Sequence, residues 1–126
     1  MAKIMVAEDD QTMVTLLTTL LNMDGFEVIA LDADENIPAA VERESPDVLL
    51  LDVHLSNQNG LEILDALRKS TTRPRLHIVM TSGLNVGEEC MLHGANDFLL
   101  KPFMPDDLIN MLRKNIHLSN GTNNHP

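Results

Sequence analysis

The sequence predicts an α/β fold in which helices cover both faces of a five-stranded parallel sheet. Short apolar runs alternate five times with stretches whose apolar residues recur at helical spacing. The run Val48–Leu51 is apolar without interruption, as is typical of a strand buried on both faces in the middle of such a sheet. Alternation of this kind requires right-handed crossovers, so helices lie on both sides. The predicted strands cover residues 3–7, 26–31, 48–52, 76–81 and 97–100.

Two helices separate the first three strands. The first is predicted to begin after Asp9 or Asp10, either of which can cap it, and to end near Gly25. Its apolar residues predict one buried stripe, which consists of Met13, Leu16, Leu17, Leu20 and Leu21. The second helix is weaker and is predicted over residues 36–44, with Pro38 in the first turn, where proline is tolerated.

Three more helices follow the third strand. A polar loop over residues 56–60 leads into the third helix, which Arg73-Pro74 is expected to break. One face of that helix is apolar and carries Leu61, Leu64 and Leu67. The fourth helix is predicted over residues 86–93 and ends at Gly94, and the fifth begins around Pro105. The inward residues of the fifth helix are predicted to be Leu108, Met111, Leu112 and Ile116.

Size and composition indicate one globular domain. The chain has 126 residues, of which 44% are hydrophobic and 22% charged, and its formal net charge is −10. So acidic a surface repels nucleic acid phosphates, and the absence of Tyr and Trp removes stacking platforms for bases. No stretch reaches the ~20 apolar residues of a membrane helix. The single cysteine, Cys90, cannot form an internal disulfide, so we expect a cytoplasmic protein. From the negative charge and the lack of a long apolar stretch, we expect that it binds neither nucleic acid nor membrane directly.

Polar side chains stand at the ends of four predicted strands. Glu8 and Asp9 follow the first strand, Asp52 ends the third, Thr81 ends the fourth and Lys101 follows the fifth. Because the carboxyl ends of parallel strands meet at the edge where open α/β sheets bind ligands, we expect these five side chains to lie close together.

Carboxylates crowded at one edge need positive charge. Two unit charges ~4 Å apart repel by ~4 kcal/mol at an effective dielectric constant of 20. Lys101 can supply one positive charge, and a magnesium ion, which suits a few carboxylates with waters and a phosphoryl oxygen, can supply two more. An Asp beside magnesium and a Lys can attack phosphorus and form an aspartyl phosphate.

The chain resembles the receiver domain of two-component response regulators. The resemblance covers about residues 3–117 and rests on motifs at Ile4–Asp10, Leu49–Asp52 with Gly60 eight residues on, Val79–Thr81 and Gly94–Phe103. It implies a doubly wound, flavodoxin-like fold with strand order 2-1-3-4-5. It also implies a receiver domain over residues 1–117, followed at 118–126 by a polar tail or the start of a linker. Such a domain is not an enzyme in the ordinary sense, since it catalyses only its own phosphorylation and dephosphorylation.

The resemblance also implies a role for each residue at the strand ends. Asp52 would be the phosphoacceptor, Lys101 would pair with the phosphoryl group, and a cis peptide bond would precede Pro102. Thr81 would be the switch hydroxyl, and Phe98 takes the position of the switch aromatic residue. The implied magnesium ligands are Glu8, Asp9, Asp52 and the backbone carbonyl of His54.

Two kinds of partner are implied. A sensor histidine kinase or a phosphotransfer protein would donate the phosphoryl group. A downstream output domain or protein would recognise the surface of the fourth helix, fifth strand and fifth helix, around residues 86–112. Because the fourth helix offers Glu88 and Glu89, and Arg113 and Lys114 stand only near the end of the fifth helix, we expect a monomer or a weak phosphorylation-dependent dimer.

Three positions differ from the common pattern of this family. Ser56 stands where Pro is usual, which would leave that loop less restrained. Ser82 stands where Ala is usual, and Phe98 replaces the commoner Tyr, so its ring cannot hydrogen-bond through a hydroxyl. None of these changes removes a reacting group, so they bear on phosphoryl lifetime and on the choice of partner.

Three other functions fit parts of the pattern. A phosphohydrolase or phosphotransferase with an Asp nucleophile usually carries a second Asp two residues later, where this chain has His54. A nucleotide or flavin binder would need a glycine-rich first turn, whereas the first turn here is acidic and repels phosphate. A receiver-like module that is never phosphorylated usually lacks the Asp or the Lys, and this chain has both Asp52 and Lys101.

Overall fold

Five parallel strands form one sheet in the order β2-β1-β3-β4-β5, as expected. The structure, a computed structural model, describes residues 2–32, 34–70 and 75–121, with the backbone alone for 116–121. In chain order its elements are β1 (Lys3–Ala7), α1 (Gln11–Met23), β2 (Glu27–Ala30), α2 (Ile37–Glu44), β3 (Val48–Asp52), α3 (Gly60–Lys69), β4 (His77–Ser82), α4 (Gly87–Leu92), β5 (Asp97–Leu100) and α5 (Pro105–Gly121). The alternation of five strands with five helices is therefore confirmed.

The β3 strand is the centre of the core. It pairs with β1 on one side and β4 on the other, and all five of its residues are buried. Because successive side chains of a strand point to opposite faces, Leu49 and Leu51 pack with α2, α3 and α4, whereas Val48 and Leu50 pack with α1 and α5. Burial on both faces explains why the β3 sequence is continuously apolar.

The buried face of α1 differs from the predicted stripe. Its buried residues are Val14, Leu17 and Leu21, whereas Leu16 is 48% exposed. At 100° per residue Leu16 lies on roughly the opposite side of the helix from these three, so it points away from the sheet. The prediction was right for Leu17 and Leu21 and wrong for Leu16, because a dense run of leucines does not show which of them faces the sheet.

The helix ends follow their local signals. Asp10, not Asp9, caps α1 and accepts a hydrogen bond from the backbone N–H of Met13 at 3.1 Å. Gly25 and Gly94 follow α1 and α4 with φ of 95° and 106°, a backbone conformation that glycine adopts readily. Within the described ranges, no helix is long and apolar enough to span a bilayer.

Two predicted helix ends lie at the limits of the described residues. The α3 helix ends at Lys69, and Arg73-Pro74, the predicted break, lies outside the described residues. The α5 helix continues to Gly121, four residues past the predicted domain end at residue 117. Residues 122–126 of the predicted polar tail also lie outside the described residues, so the position of the boundary stays a prediction.

Candidate functional site

The carboxyl edge of the sheet gathers the predicted site residues. Asp52 is the last residue of β3 and stands in register with Thr81 of β4. Glu8 directly follows β1, and Lys101 directly follows β5. Glu8, Asp52 and Thr81 are 6%, 5% and 2% exposed, so two acids and a hydroxyl are almost withdrawn from solvent at one place.

Lys101 joins the two buried acids. Its ammonium Nζ donates to Glu8 Oε1 and, at 2.5 Å, to Asp52 Oδ2. Burial alone would lower the pKa of Lys101, but its hydrogen bonds to Asp52 and Glu8, together with their negative charges, raise that pKa above its ordinary value. The lysine therefore stays charged at neutral pH and offsets part of the repulsion between the acids. The peptide bond between Lys101 and Pro102 is cis, as predicted.

The other oxygens of these two acids accept backbone hydrogen bonds. Asp52 Oδ1 accepts the N–H of His54 at 3.0 Å, and Glu8 Oε2 accepts the N–H of Asp10 at 3.1 Å. Each carboxylate is thus restrained on one side by Lys101 and on the other by the loop that follows it. Such restraint orients Asp52 before any reactant arrives. The side chain of His54, by contrast, is exposed to solvent.

Asp9 is held differently from the other two acids. Both the backbone N–H and the hydroxyl of Ser56 donate to its Oδ2. Its Oδ1 is buried and has no hydrogen-bond partner among the described residues. Ser56 therefore ties the loop after β3 to the loop after β1, although its replacement of proline would by itself loosen the chain. The sequence did not reveal this contact, and its only signal was a hydroxyl residue four positions after the strand-end Asp.

The residues at this edge offer the carboxylate oxygens that magnesium prefers, but most of these oxygens already accept hydrogen bonds in this arrangement. No three His, Cys, Asp or Glu side chains in the described part of the chain are arranged to hold a metal. Glu8 and Asp52 are both engaged by Lys101, and Asp9 turns one oxygen to Ser56. The unpartnered Oδ1 of Asp9 is nevertheless what a hard cation would satisfy, since magnesium commonly uses one or two carboxylates and keeps several waters.

Phe98 belongs to β5, and its ring lies against the start of α4. It is partly buried and packs against the cluster that α2, α3 and α4 form with the sheet. A Cβ placed on Gly87, the first residue of α4, would come within 3.0 Å of the Phe98 ring. The ring thus packs against the glycine backbone at the start of α4. The strand that carries Phe98, β5, pairs with β4, which carries Thr81.

Sequence and structure comparisons agree with this fold. A family profile described as the response regulator receiver domain matches residues 4–113. The DNA-binding response regulator MtrA of Mycobacterium tuberculosis is 31% identical over 114 residues, which are 88% of this chain and 49% of MtrA. The transcriptional regulatory protein CpxR of Klebsiella pneumoniae is 34% identical over 114 residues, which are 90% of this chain and 48% of CpxR. This chain spans about half the length of such relatives.

A solved structure shows the same likeness. The crystal structure of the receiver domain of NtrX from Brucella abortus matches with a TM-score of 0.77 and 31% identity, and the match covers 88% of this chain and 95% of that domain. Receiver domains are signalling domains rather than enzymes that act on a separate substrate. The match over most of the chain, together with the parallel sheet in the order 2-1-3-4-5, establishes that this chain belongs to the receiver domains of two-component response regulators.

Proposed function

We propose that Asp52 accepts a phosphoryl group from a sensor histidine kinase or a phosphotransfer protein. The observation that carries this proposal is the ion-paired arrangement at the sheet edge, where Lys101 Nζ contacts both Asp52 and Glu8. Asp52 is 5% exposed and stands at the end of the most buried strand. A lysine so placed can move from the carboxylate to a phosphoryl oxygen without leaving the site.

The transfer needs positioning and charge more than covalent chemistry by the protein. One carboxylate oxygen of Asp52 bonds to phosphorus while the bond from phosphorus to the histidine nitrogen of the donor breaks, and that nitrogen keeps the electron pair. Lys101 stabilises the charge on the phosphoryl oxygens. The hydrogen bond from the His54 N–H to Asp52 Oδ1 holds the carboxylate in one orientation during this step.

Magnesium completes the proposed site. Asp9 and Asp52 would hold the ion together with the backbone carbonyl of His54, and Glu8 would contribute through water. When bound, the ion supplies positive charge to the carboxylates and to the phosphoryl oxygens. The unpartnered Asp9 Oδ1 supports this assignment, because an acceptor buried without a partner costs free energy that a cation would recover.

Phosphorylation changes the surface formed by α4, β5 and α5, which is called the output face below. The phosphoryl group draws the Thr81 hydroxyl towards Asp52, and the Phe98 ring moves into the space that Thr81 vacates. Moving a two-state equilibrium from 1:99 to 99:1 takes ~5.5 kcal/mol of differential stabilisation. Two or three charge-assisted hydrogen bonds to the phosphoryl group, at about 1.5–3 kcal/mol each, supply much of this free energy.

The output face acts on a partner protein or an attached output domain. MtrA is described as DNA-binding and CpxR as a transcriptional regulator, and each is about twice as long as this chain. DNA contact belongs to such an additional domain, because this chain has a net charge of −10 and repels phosphate backbones.

The test is phosphorylation by acetyl phosphate with magnesium, followed by intact-mass measurement. The wild-type protein should gain the mass of one phosphoryl group, and Asp52→Asn should gain none. Asp10→Asn is the matched control, because it removes an acid from the same sheet edge while asparagine still caps α1. An adduct of equal yield in Asp52→Asn would show that Asp52 is not the acceptor.

A further inference from the structure

Ser56 makes an unusual contact for its place in the chain. It follows the acceptor Asp52 by four positions and is exposed, yet its N–H and its hydroxyl both donate to Oδ2 of Asp9. A proline at this position would lack both donors. The contact joins residues 47 positions apart, so it depends on the fold and not on local chain geometry.

The two oxygens of the Asp9 carboxylate have different surroundings. Oδ2 is occupied by two hydrogen bonds from one residue, whereas Oδ1 is buried without a partner in the described part of the chain. An unpaired acceptor in a buried position costs free energy, more so when it carries charge. If the carboxylate were free to rotate, it would turn that oxygen towards water. The two hydrogen bonds from Ser56 to Oδ2 oppose this rotation, and Oδ1 is buried.

We propose that Ser56 is a positioning residue for magnesium, because it fixes Asp9 so that Oδ1 alone faces the ion. The inference rests on the proposed function, since it needs Asp9 to be a magnesium ligand. Residues that hold a metal ligand by a hydrogen bond typically change metal affinity 10- to 100-fold when they are removed. Ser56 does for Asp9 what such residues do for ligands in other metal sites.

Two other roles for Ser56 predict different outcomes. If Ser56 only ties two loops together, its removal lowers stability by the same amount with and without magnesium. If Ser56 competes with the ion for Asp9, its removal tightens magnesium binding. The positioning role alone predicts weaker magnesium binding, so the dissociation constant separates the three.

The experiment measures the magnesium dissociation constant of the unphosphorylated protein by calorimetry and by the rise in melting temperature with magnesium concentration. Ser56→Ala removes the hydroxyl and keeps the N–H, and we expect binding about tenfold weaker, at the low end of the usual range. Ser56→Pro removes both donors and should weaken binding further. Ser56→Thr keeps both and should bind like the wild type. Asn57→Ala is the matched loop control, since that side chain donates to Asp34 instead of Asp9.

Asp9→Ala separates this inference from the proposed function. A magnesium response in the wild type that Asp9→Ala abolishes supports the site itself. Given that response, an unchanged or tighter dissociation constant in Ser56→Ala overturns the positioning role and leaves the proposed function intact. A wild-type protein without any magnesium response overturns both.

Discussion

At the scale of single residues, Lys101 compensates the negative charge of the buried carboxylates at the carboxyl edge of the sheet. Two acids, each less than a tenth exposed, face one ammonium there. Burying charges costs free energy that their mutual attraction returns only when the geometry is good, and removing one partner leaves the other uncompensated. The site therefore depends on this lysine before any phosphoryl group or metal ion is bound.

Replacing Lys101 with Met should lower stability at neutral pH and flatten its alkaline dependence. Because the folded-state pKa of Lys101 lies above its ordinary value of 10.5, the stability contributed by the charged lysine is fully present below that value. It is lost as the pH rises through the raised folded-state pKa. At pH 7 we expect Lys101→Met to lose about 1–3 kcal/mol, the usual cost of leaving buried partners unpaired.

Urea unfolding followed by circular dichroism between pH 7 and pH 11 measures both effects of Lys101→Met. The chain contains no Tyr, so lysines and Cys90, whose pKa is raised by burial and by nearby Glu89, dominate this range. Lys114→Met is the control, because Lys114 is exposed. If the free energy of unfolding fell equally steeply with rising alkaline pH in Lys101→Met and in the wild type, the prediction would be contradicted.

At the scale of elements, α3 approaches the end of β3 so closely that only glycine fits. A Cβ on Gly60, the first residue of α3, would collide with the carbonyl oxygen of Asp52 and come within 2.7 Å of Val53 Cα. The Gly60 N–H also donates to the Val53 carbonyl at 2.8 Å. The start of α3 is thus pressed against the backbone of Asp52, the proposed acceptor.

Gly60→Ala should destabilise the fold by about 1–3 kcal/mol or more, since the atoms in the way belong to backbone and cannot rotate aside. Gly83→Ala is the matched control, because a Cβ there meets nothing within 4 Å. Urea unfolding of both variants measures the difference. Similar stability of the two would mean that α3 can withdraw from β3 at little cost.

At the scale of the whole molecule, the output face is an acidic surface with exposed apolar residues. The face presents Glu88 and Glu89 on α4, and Met91, Leu92 and Leu100 are exposed apolar residues in its described part. Arg113 is not available to it, because its guanidinium pairs with Asp24 at the end of α1. Of the two bases near the end of α5, this leaves the exposed Lys114 for ion pairs, so a symmetric dimer built on paired acids and bases would have few bases here, whereas a partner with basic and apolar groups would fit.

Activation should consequently leave the isolated domain a monomer or a weak dimer. Sedimentation velocity with and without beryllofluoride and magnesium tests this, with Asp52→Asn as the variant that we expect not to respond. We expect little change in the sedimentation coefficient on activation. A clean shift to a dimer that the charge reversal Glu88→Lys abolishes would show that the output face binds a second copy of the chain.

Much of the fold is readable from the sequence because its signals are local. The apolar run before Asp52, the helix stops at Gly25 and Gly94, and the cap at Asp10 each depend on a few adjacent residues. The strand-end positions of Asp52 and Thr81 follow from the same local pattern, since a parallel sheet places all carboxyl ends together. The predicted strand limits differ from the observed ones by one residue at most.

The sequence by itself thus determined the alternating elements, the central strand and the set of residues at one edge of the sheet. Only the tertiary structure decided which side of α1 is buried, that Lys101 contacts two acids, and that Ser56 holds Asp9. The Lys101 and Ser56 contacts join residues 47 to 93 positions apart and depend on the exact course of loops. Local pattern carries no information on such distances, because each contact is set by how separate elements pack.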